Sequence, residues 1–309
     1  MAPELSVIIV TWNCAQQAEA CLQSLSRFYP DGEVIVVDNA SADLDALRVS
    51  CARYGATLLT QQDNLGFAAG NNVGARHAHG RDLLFLNPDT YFTDDSLPRA
   101  LQAFAQLRPH YGALGCRLLG EDGALQKSCS FFPTAGREVL DKFYLNRLLP
   151  QALRTRLSLP NRNHARSGPV DWIMGAFVLV GREDFERAGG WTEDYFMYGE
   201  DMDLCFKLNR LGRPVYYWAG GSVVHAHNVS AAKRYGDRRI VRVIASTRLF
   251  LQKYGTQGRA ARIRRINLVS FRLKRLACRL AGRHDAAKYY GTCIAAWREE
   301  LSALLAQDA

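Results

Sequence analysis

No apolar run in this 309-residue chain is long enough to span a bilayer. Each is broken by charge within about ten residues, roughly half of what a membrane helix requires. The first residues lack the basic stretch, apolar core and small-residue cleavage site of a secretory leader. Met1-Ala2-Pro3-Glu4 leads straight into the short run Val7-Ile8-Ile9-Val10. The expectation is a cytoplasmic protein. The eight cysteines form no C-x-x-C pair, which argues against a zinc knuckle or a disulfide framework and leaves them as reduced, buried fillers. Neither the G-x-G-x-x-G dinucleotide fingerprint nor a Gly-rich phosphate loop with its lysine is present. Repeats, low-complexity tracts and a Pro/Gly/Ser-rich linker are missing too, so one large domain with an extension is expected.

Composition supports a folded core, with 48% hydrophobic and 10% aromatic residues. In the first 120 residues apolar runs alternate with amphipathic patterns. Ser6–Trp12, Glu33–Asn39, Thr57–Gln61, Asp82–Asn87 and Tyr111–Leu119 read as strands. Ala15–Phe28, Asp43–Tyr54 and Asp94–Leu107 read as helices between them. This order predicts an α/β fold with a mostly parallel sheet, whose ligands gather beyond the strands' carboxyl ends. Asp171–Val180 and Pro214–Val224 add two more buried strands. Between them and the first half, residues 131–170 form an excursion of short basic amphipathic helices (Arg137, Lys142, Arg147, Arg154, Arg156) and a polar loop at Asn161–Gly168.

The net charge of +9 is unevenly spread. Residues 226–288 carry 17 Lys/Arg and only 2 Asp/Glu, whereas residues 1–225 carry 21 and 25. A mildly acidic domain therefore bears a basic C-terminal arm, suited to polyanions such as nucleic acid or an anionic membrane. Arg262–Ala281 draws as a helix with Ile266, Val269, Leu273, Leu276 and Leu280 on one narrow face and arginines around much of the rest. Such a helix can lie on an anionic membrane; it can equally pack its stripe on the domain and leave the arginines solvated.

Polar groups end three of the strands: Thr11-Trp12-Asn13, Asp38-Asn39-Ala40-Ser41 and Asn87-Pro88-Asp89. Ser41 and Asp43 would also serve as helix caps, whereas Asp38 ends a buried run and reads as functional. Asn64-Leu65-Gly66-Phe67 opens a segment with Gly66, Gly70 and Gly74 at four-residue spacing. On a helix these share one face, allowing close approach of a neighbouring backbone or ligand. Asn87-Pro88-Asp89 is good turn chemistry, but a carboxylate at a buried strand end can also hold Mg²⁺ or Mn²⁺. Gly189–Asp203 packs five carboxylates ahead of a helix running to about Leu211. Its apolar face, Leu204, Cys205, Leu208 and Leu211, includes Asp201, with Glu200 at the margin and Asp203 toward the opposite, solvated side. An inward carboxylate needs a task or a partner, so Asp201 is the candidate base. His225 and His227 end another apolar run and alternate to one side, which makes one of them a plausible metal ligand.

In order, Val7–Asn13, Val36–Ser41, Asn64–Phe67, Leu86–Asp89 and Gly199–Cys205 resemble family 2 glycosyltransferases, and within them the bacterial rhamnosyltransferase-like branch. The likeness runs over about residues 5–230. It implies a GT-A fold, divided as a catalytic domain over 1–230, with 131–170 as an acceptor-side insertion, and a helical extension over 231–309 packed on it. It implies inverting transfer of a sugar, with L-rhamnose from deoxythymidine diphosphate rhamnose favoured, to a lipid-linked glycan acceptor in envelope polysaccharide synthesis at the inner face of the membrane. Thr11, Asn13 and Asp38 match nucleotide-binding positions, and Asn39, Asn64, Gly66 and Asn87 join them on the donor side. Asp89 matches the metal-binding aspartate, with Asn87 standing where the first acid of that element usually lies. His225 matches the metal-binding histidine better than His227. Asp201 matches the base, and Trp172, Gly175, Glu200 and His227 fall on the acceptor or supporting side. The cofactor implied is a divalent cation. The rival readings are a nucleic-acid-binding protein that uses the arm, or another nucleotide-using transferase. The first lacks any nucleic-acid motif and leaves the buried carboxylates unexplained.

Overall fold

The computed structural model describes residues 4–150, 153, 164–226 and 239–301. They fall into two units, one of residues 1–130 and 164–234, the other of 131–163 and 235–309. The strands are β1 (Leu5–Thr11), β2 (Glu33–Asp38), β3 (Thr57–Thr60), β4 (Asp82–Leu86), β5 (Thr90–Tyr91), β6 (Ala113–Leu119), β7 (Leu125–Gln126), β8 (Cys129–Ser130), β9 (Gly168–Val170), β10 (Trp172–Ile173), β11 (Phe177–Gly181) and β12 (Val215–His225). The helices are α1 (Ala15–Phe28), α2 (Leu44–Tyr54), α3 (Gly66–His77), α4 (Ser96–Leu107), α5 (Ala135–Lys142), α6 (Arg182–Arg187), α7 (Glu200–Arg210), α8 (Arg239–Tyr254), α9 (Gln257–Leu280) and α10 (His284–Arg298).

The first unit is built on a sheet of order β3-β2-β1-β4-β11-β6-β12-β5. Strands β3, β2, β1 and β4 run parallel, β11 runs antiparallel between β4 and β6, and β12 is parallel to β6. The five early strands and three early helices fall where the apolar periodicity puts them, within two residues at each end. Strands β1 and β4 are buried along their whole length, as continuous apolar runs in a sheet covered on both faces should be. Helix α1 buries Ala15, Ala18, Cys21, Leu22 and Leu25, a 3–4 spacing that seats one face on the sheet. Its first N–H groups are not capped from its own flank; Ala15 N donates to Asp43 Oδ2 at 2.9 Å, across from the end of β2.

Helix α3 explains the glycine spacing. A Cβ at Gly74 would lie 2.4 Å from Ile8 Cγ2, and one at Gly70 would lie 2.8 Å from Val10 Cγ1. The glycines let the helix settle directly on β1, so this part of the motif is packing. Gly66 differs: its φ is +82°, and a Cβ there would lie 2.6 Å from the Phe196 carbonyl.

One expectation is corrected. Asp171–Val180 is not one strand. It breaks at Met174-Gly175-Ala176, where β10 pairs with β8 and β11 joins the main sheet between β4 and β6. The backbone turns there because Gly175 N–H is committed to a carboxylate on α7. Strand β12 also carries a register shift between Trp218 and Ser222, around Gly220-Gly221. All eight cysteines are free, seven of them buried.

The second unit has its own core of Ile244, Leu251, Ile263, Phe271, Cys293, Ile294 and Trp297 from α8, α9 and α10, with Ala135 of α5 against it. Its polar seam is specific: Asn267 Nδ2 donates to Glu138 Oε2 at 2.9 Å, and Ser270 Oγ donates to the Lys142 carbonyl. The basic excursion appears as α5 and a short 3₁₀ turn at Leu145–Leu148. Arg154, Arg156 and the start of the Asn161–Gly168 loop lie outside the described residues, as does His227. Among the described residues no helix is long and apolar enough to cross a membrane.

Candidate active site

Parallel pairing of β1 with β2 sets Thr11 opposite Asp38, so the polar strand ends meet at one sheet edge. Both side chains are buried. Thr11 Oγ1 donates to Asp38 Oδ1 at 3.4 Å, and Ser41 N donates to Asp38 Oδ2 at 3.0 Å. The two strand-end loops are laced together: Asn13 N donates to Ser41 Oγ at 2.9 Å, and Ala42 N to Asn13 Oδ1 at 2.8 Å. Ser41 therefore binds a neighbouring loop instead of capping α2. Asn39 turns away from this edge and donates from Nδ2 to the Gly66 carbonyl at 3.0 Å, while Gly66 N donates to Asn64 Oδ1. Asn39, Asn64 and Gly66 thus form a brace that fixes the start of α3 against the end of β2. Asn13, Ala40 and Tyr198 all adopt positive φ. Such conformations cost about 1–3 kcal/mol each and collect at working sites.

Beyond β4, Asn87 N donates to the Ala176 carbonyl at 3.1 Å, which ties the Asn87-Pro88-Asp89 turn to the break before β11. Asp89 is buried, and its backbone carbonyl accepts from Ala226 N at 2.8 Å. That contact and the pairing of β12 with β5 draw His225 in: its Nε2 lies 3.3 Å from Asp89 Oδ1 and 3.3 Å from Asn87 Nδ2. Gln126, on β7, clamps the histidine at two points. Gln126 Nε2 donates to the His225 carbonyl at 2.7 Å, which fixes the amide so that Oε1 faces His225 Nδ1 at 2.8 Å. Nδ1 then carries the proton and Nε2 turns its lone pair toward Asp89. A carboxylate oxygen beside an imidazole nitrogen, with the other ring nitrogen held by a hydrogen bond, is the donor chemistry of a divalent-cation site. Asp89 and His225 fit that group. Gln126 carried no signal in the sequence, being one polar residue on a two-residue strand.

The third cluster is the first turn of α7. Asp201 Oδ2 accepts from Gly175 N at 3.1 Å and Oδ1 from Met202 N at 2.8 Å. Burial raises its pKa to about 6 against the lowering pull of those N–H groups. Glu200 is buried beside it, with Oε2 lacking a hydrogen-bond partner; burial first, then the neighbouring Asp201, holds its pKa well above the carboxylate range. Asp203 overturns the single-stripe picture of this helix. It is not solvated but 0% exposed. Thr192 Oγ1 donates to its Oδ1 at 2.5 Å, and Lys207 Nζ stands 3.5 Å away. The turn is covered on that side too, so facing away from Leu204 and Leu208 does not mean facing water. Asp203 is a buried acid held through Oδ1 by Thr192 and Lys207, with Oδ2 lacking a hydrogen-bond partner, while Asp201 presents a half-buried carboxylate beside Gly175. Trp172 lies two residues before that turn, on β10, half-buried.

One hydrogen-bonded path thus links Asp201 through Gly175 and Ala176 to Asn87 and on to His225. A parallel-edged α/β unit with polar strand ends, an acid–imidazole pair and an enclosed acid on a helix start has the layout of the GT-A class. The glycosyl transferase family 2 model matches residues 6–155. The chain is 28% identical over 257 residues to the rhamnosyltransferase WbbL of Escherichia coli K12, covering 79% of this chain and 93% of that one. It is 29% identical over 268 residues to the N-acetylglucosaminyl-diphospho-decaprenol L-rhamnosyltransferase of Mycobacterium tuberculosis, covering 81% and 85%. In fold it is similar to the mannosyltransferase PcManGT of Pyrobaculum calidifontis, solved with GDP-Man and Mn²⁺, with a TM-score of 0.56, 19% identity, and 100% and 80% of the two chains covered. Over residues 6–155 the chain matches glycosyl transferase family 2; it is rhamnosyltransferase-like in sequence and has the GT-A fold.

Proposed function

We propose that this protein moves a sugar, L-rhamnose from deoxythymidine diphosphate rhamnose, onto a hydroxyl of a lipid-linked glycan, in one inverting step. The observation that carries the reading is Asp201. Its carboxylate is aimed by two backbone N–H groups and held near pKa 6, on the same hydrogen-bonded path as the Asn87–Asp89–His225 cluster. Asp201 takes the proton of the acceptor hydroxyl. That oxygen attacks the anomeric carbon as the bond from this carbon to the diphosphate oxygen breaks, and nucleoside diphosphate leaves. Thr11, Asn13 and Asp38 hold the nucleoside. Asp89 Oδ1 and His225 Nε2 would hold a divalent cation, with Gln126 fixing the imidazole. When bound, such an ion supplies positive charge to offset that developing on the departing diphosphate. Glu200, whose burial favours its protonated form, supports Asp201; Trp172 and Gly175 line the acceptor side.

Rhamnose is supported by both rhamnosyltransferase relatives, the lipid carrier by the diphospho-decaprenol acceptor of the mycobacterial one alone, and the cation by the Mn²⁺ bound to PcManGT. The basic C-terminal arm supports work at an anionic membrane surface. A screen of nucleotide sugars with Mn²⁺ or Mg²⁺, scored for nucleoside diphosphate release and for the anomeric configuration of the product, tests the reading. Release from the rhamnose donor, dependent on acceptor and cation and giving inverted product, is expected. Activity without inversion, or release from no nucleotide sugar, would remove it.

A further inference from the structure

Helix α9 presents the wrong face to its own unit for a simple amphipathic helix. The side it buries is mixed, Ile263, Asn267, Ser270 and Phe271. Its apolar stripe points outward instead: Val269 is 41% exposed, Leu273 54%, Leu276 55% and Leu280 81%. The 4-3-4 spacing keeps these four on one ridge, about 16 Å long at 1.5 Å per residue. Within its own unit the stripe is left uncovered at these four residues.

Beside the ridge, Arg272, Arg275 and Arg279 of α9 and Arg298 of α10 line a shallow cleft of about 190 Å³, with Leu276 and Ile294 as its apolar part. Among the described residues none of the four guanidinium groups makes an ion pair or donates a hydrogen bond, and the buried Arg275 Nε has no partner. Four guanidinium groups around one cleft repel each other unless an anion sits among them, and their planar forks suit phosphate oxygens.

We propose that this face of α9 and α10 docks on an anionic phospholipid surface, the ridge entering the headgroup–acyl boundary and the arginine cleft taking a lipid phosphate. It deepens the membrane-surface reading above and rests on it. The charge complementarity alone would also suit nucleic acid. The leucines decide between them, because a nucleic-acid backbone gives them no apolar phase to enter, whereas a bilayer does.

The test uses the full-length protein and sedimentation with vesicles of phosphatidylcholine, alone or mixed with phosphatidylglycerol. Binding only to the mixed vesicles is expected. Arg272→Gln/Arg275→Gln/Arg279→Gln should weaken it about a hundredfold, at roughly fivefold per arginine. Leu276→Gln/Leu280→Gln should weaken it at least about tenfold. Both sets are surface changes, so melting should hold, and an equal charge loss elsewhere (Arg48→Gln/Arg53→Gln/Arg187→Gln) should change binding less than about threefold. Unchanged binding in the arginine or the leucine variant would overturn the proposal. So would a short DNA duplex or inorganic pyrophosphate that binds through the same arginines while the leucine variant sediments like the parent. Vesicle binding is read without sugar donor, so a protein that docks but transfers no sugar sinks the catalytic reading alone, and one that transfers to a soluble acceptor but never docks sinks this one alone.

Discussion

Replacing Asp201 with Asn should separate chemistry from stability. The carboxylate accepts two backbone N–H groups, from Gly175 and Met202. Burial lifts the pKa from 3.8 to about 6 even with those N–H groups pulling it down, so ionised Asp201 costs the fold roughly 2–3 kcal/mol at neutral pH. The amide is free of that cost, so Asp201→Asn should melt no lower than the parent near pH 7, while loss of the base should cut kcat about 10²–10⁴-fold. The sign of the pH dependence follows. A raised folded pKa gives stability that is fully present below 3.8 and is lost as pH rises through about 6. The parent should therefore match the variant at acid pH and fall below it in stability toward neutrality. Asp203→Asn should do the reverse. It strips charge from a buried pair with Lys207, costing at least about 3 kcal/mol, or roughly 6–12 °C of melting, with any loss of turnover tracking loss of fold. The assay is turnover by nucleoside diphosphate release, donor affinity by calorimetry and melting across pH, on both variants. Asp201→Asn with near-parental kcat, beside a well-folded but inactive Asp203→Asn, would refute the reasoning.

Four further outcomes follow from the site and the helix behind it. Gln126→Leu removes the acceptor that fixes His225 Nδ1, so Mn²⁺ affinity measured by spin-resonance titration should weaken about 10–100-fold; unchanged affinity would show that the clamp does not matter. Activity should fall about tenfold per pH unit below about 6, as Asp201 takes up its proton. Glu200→Gln, which mimics the protonated acid, should leave that limb in place and keep most turnover; a dead variant would make Glu200 the base. Gly74→Ala forces a methyl to within 2.4 Å of Ile8 Cγ2 and should cost about 1–3 kcal/mol in denaturant unfolding without changing donor affinity.

The parallel half of the fold was legible because its strands are buried on both faces and so read as unbroken Val/Ile/Leu runs, with 3–4 periodic helices between them. Strand ends were equally legible, since polar residues stop such runs. What periodicity could not supply was the break at Gly175, where a contact with a helix 26 residues later overrides a continuous strand pattern. Gln126 stayed hidden for the same reason: its meaning comes from a residue 99 positions away. The outward ridge on α9 is the plainest failure of pattern alone. A stripe of leucines can be drawn from sequence, but which face is buried was decided by partners on α5 and α10, and they chose Asn267 and Ser270.

Asp201 illustrates how two local rules can oppose each other and leave a usable residue. The first turn of a helix, with two N–H groups aimed at the carboxylate, should hold the acid ionised well into acid solution. Enclosure by the Gly175 turn and by Glu200 should push the other way. Burial wins, but only as far as about 6. A carboxylate at 3.8 would be a weak proton acceptor, and one raised far beyond neutrality would already hold a proton. Near 6 it is largely ionised at physiological pH and still basic enough to accept a hydroxyl proton as the bond to the anomeric carbon forms. The same first turn disposes of its neighbours differently. Asp203 is paired with Lys207, and burial drives Glu200 toward its protonated form, so of three adjacent acids Asp201 is the one left partly open.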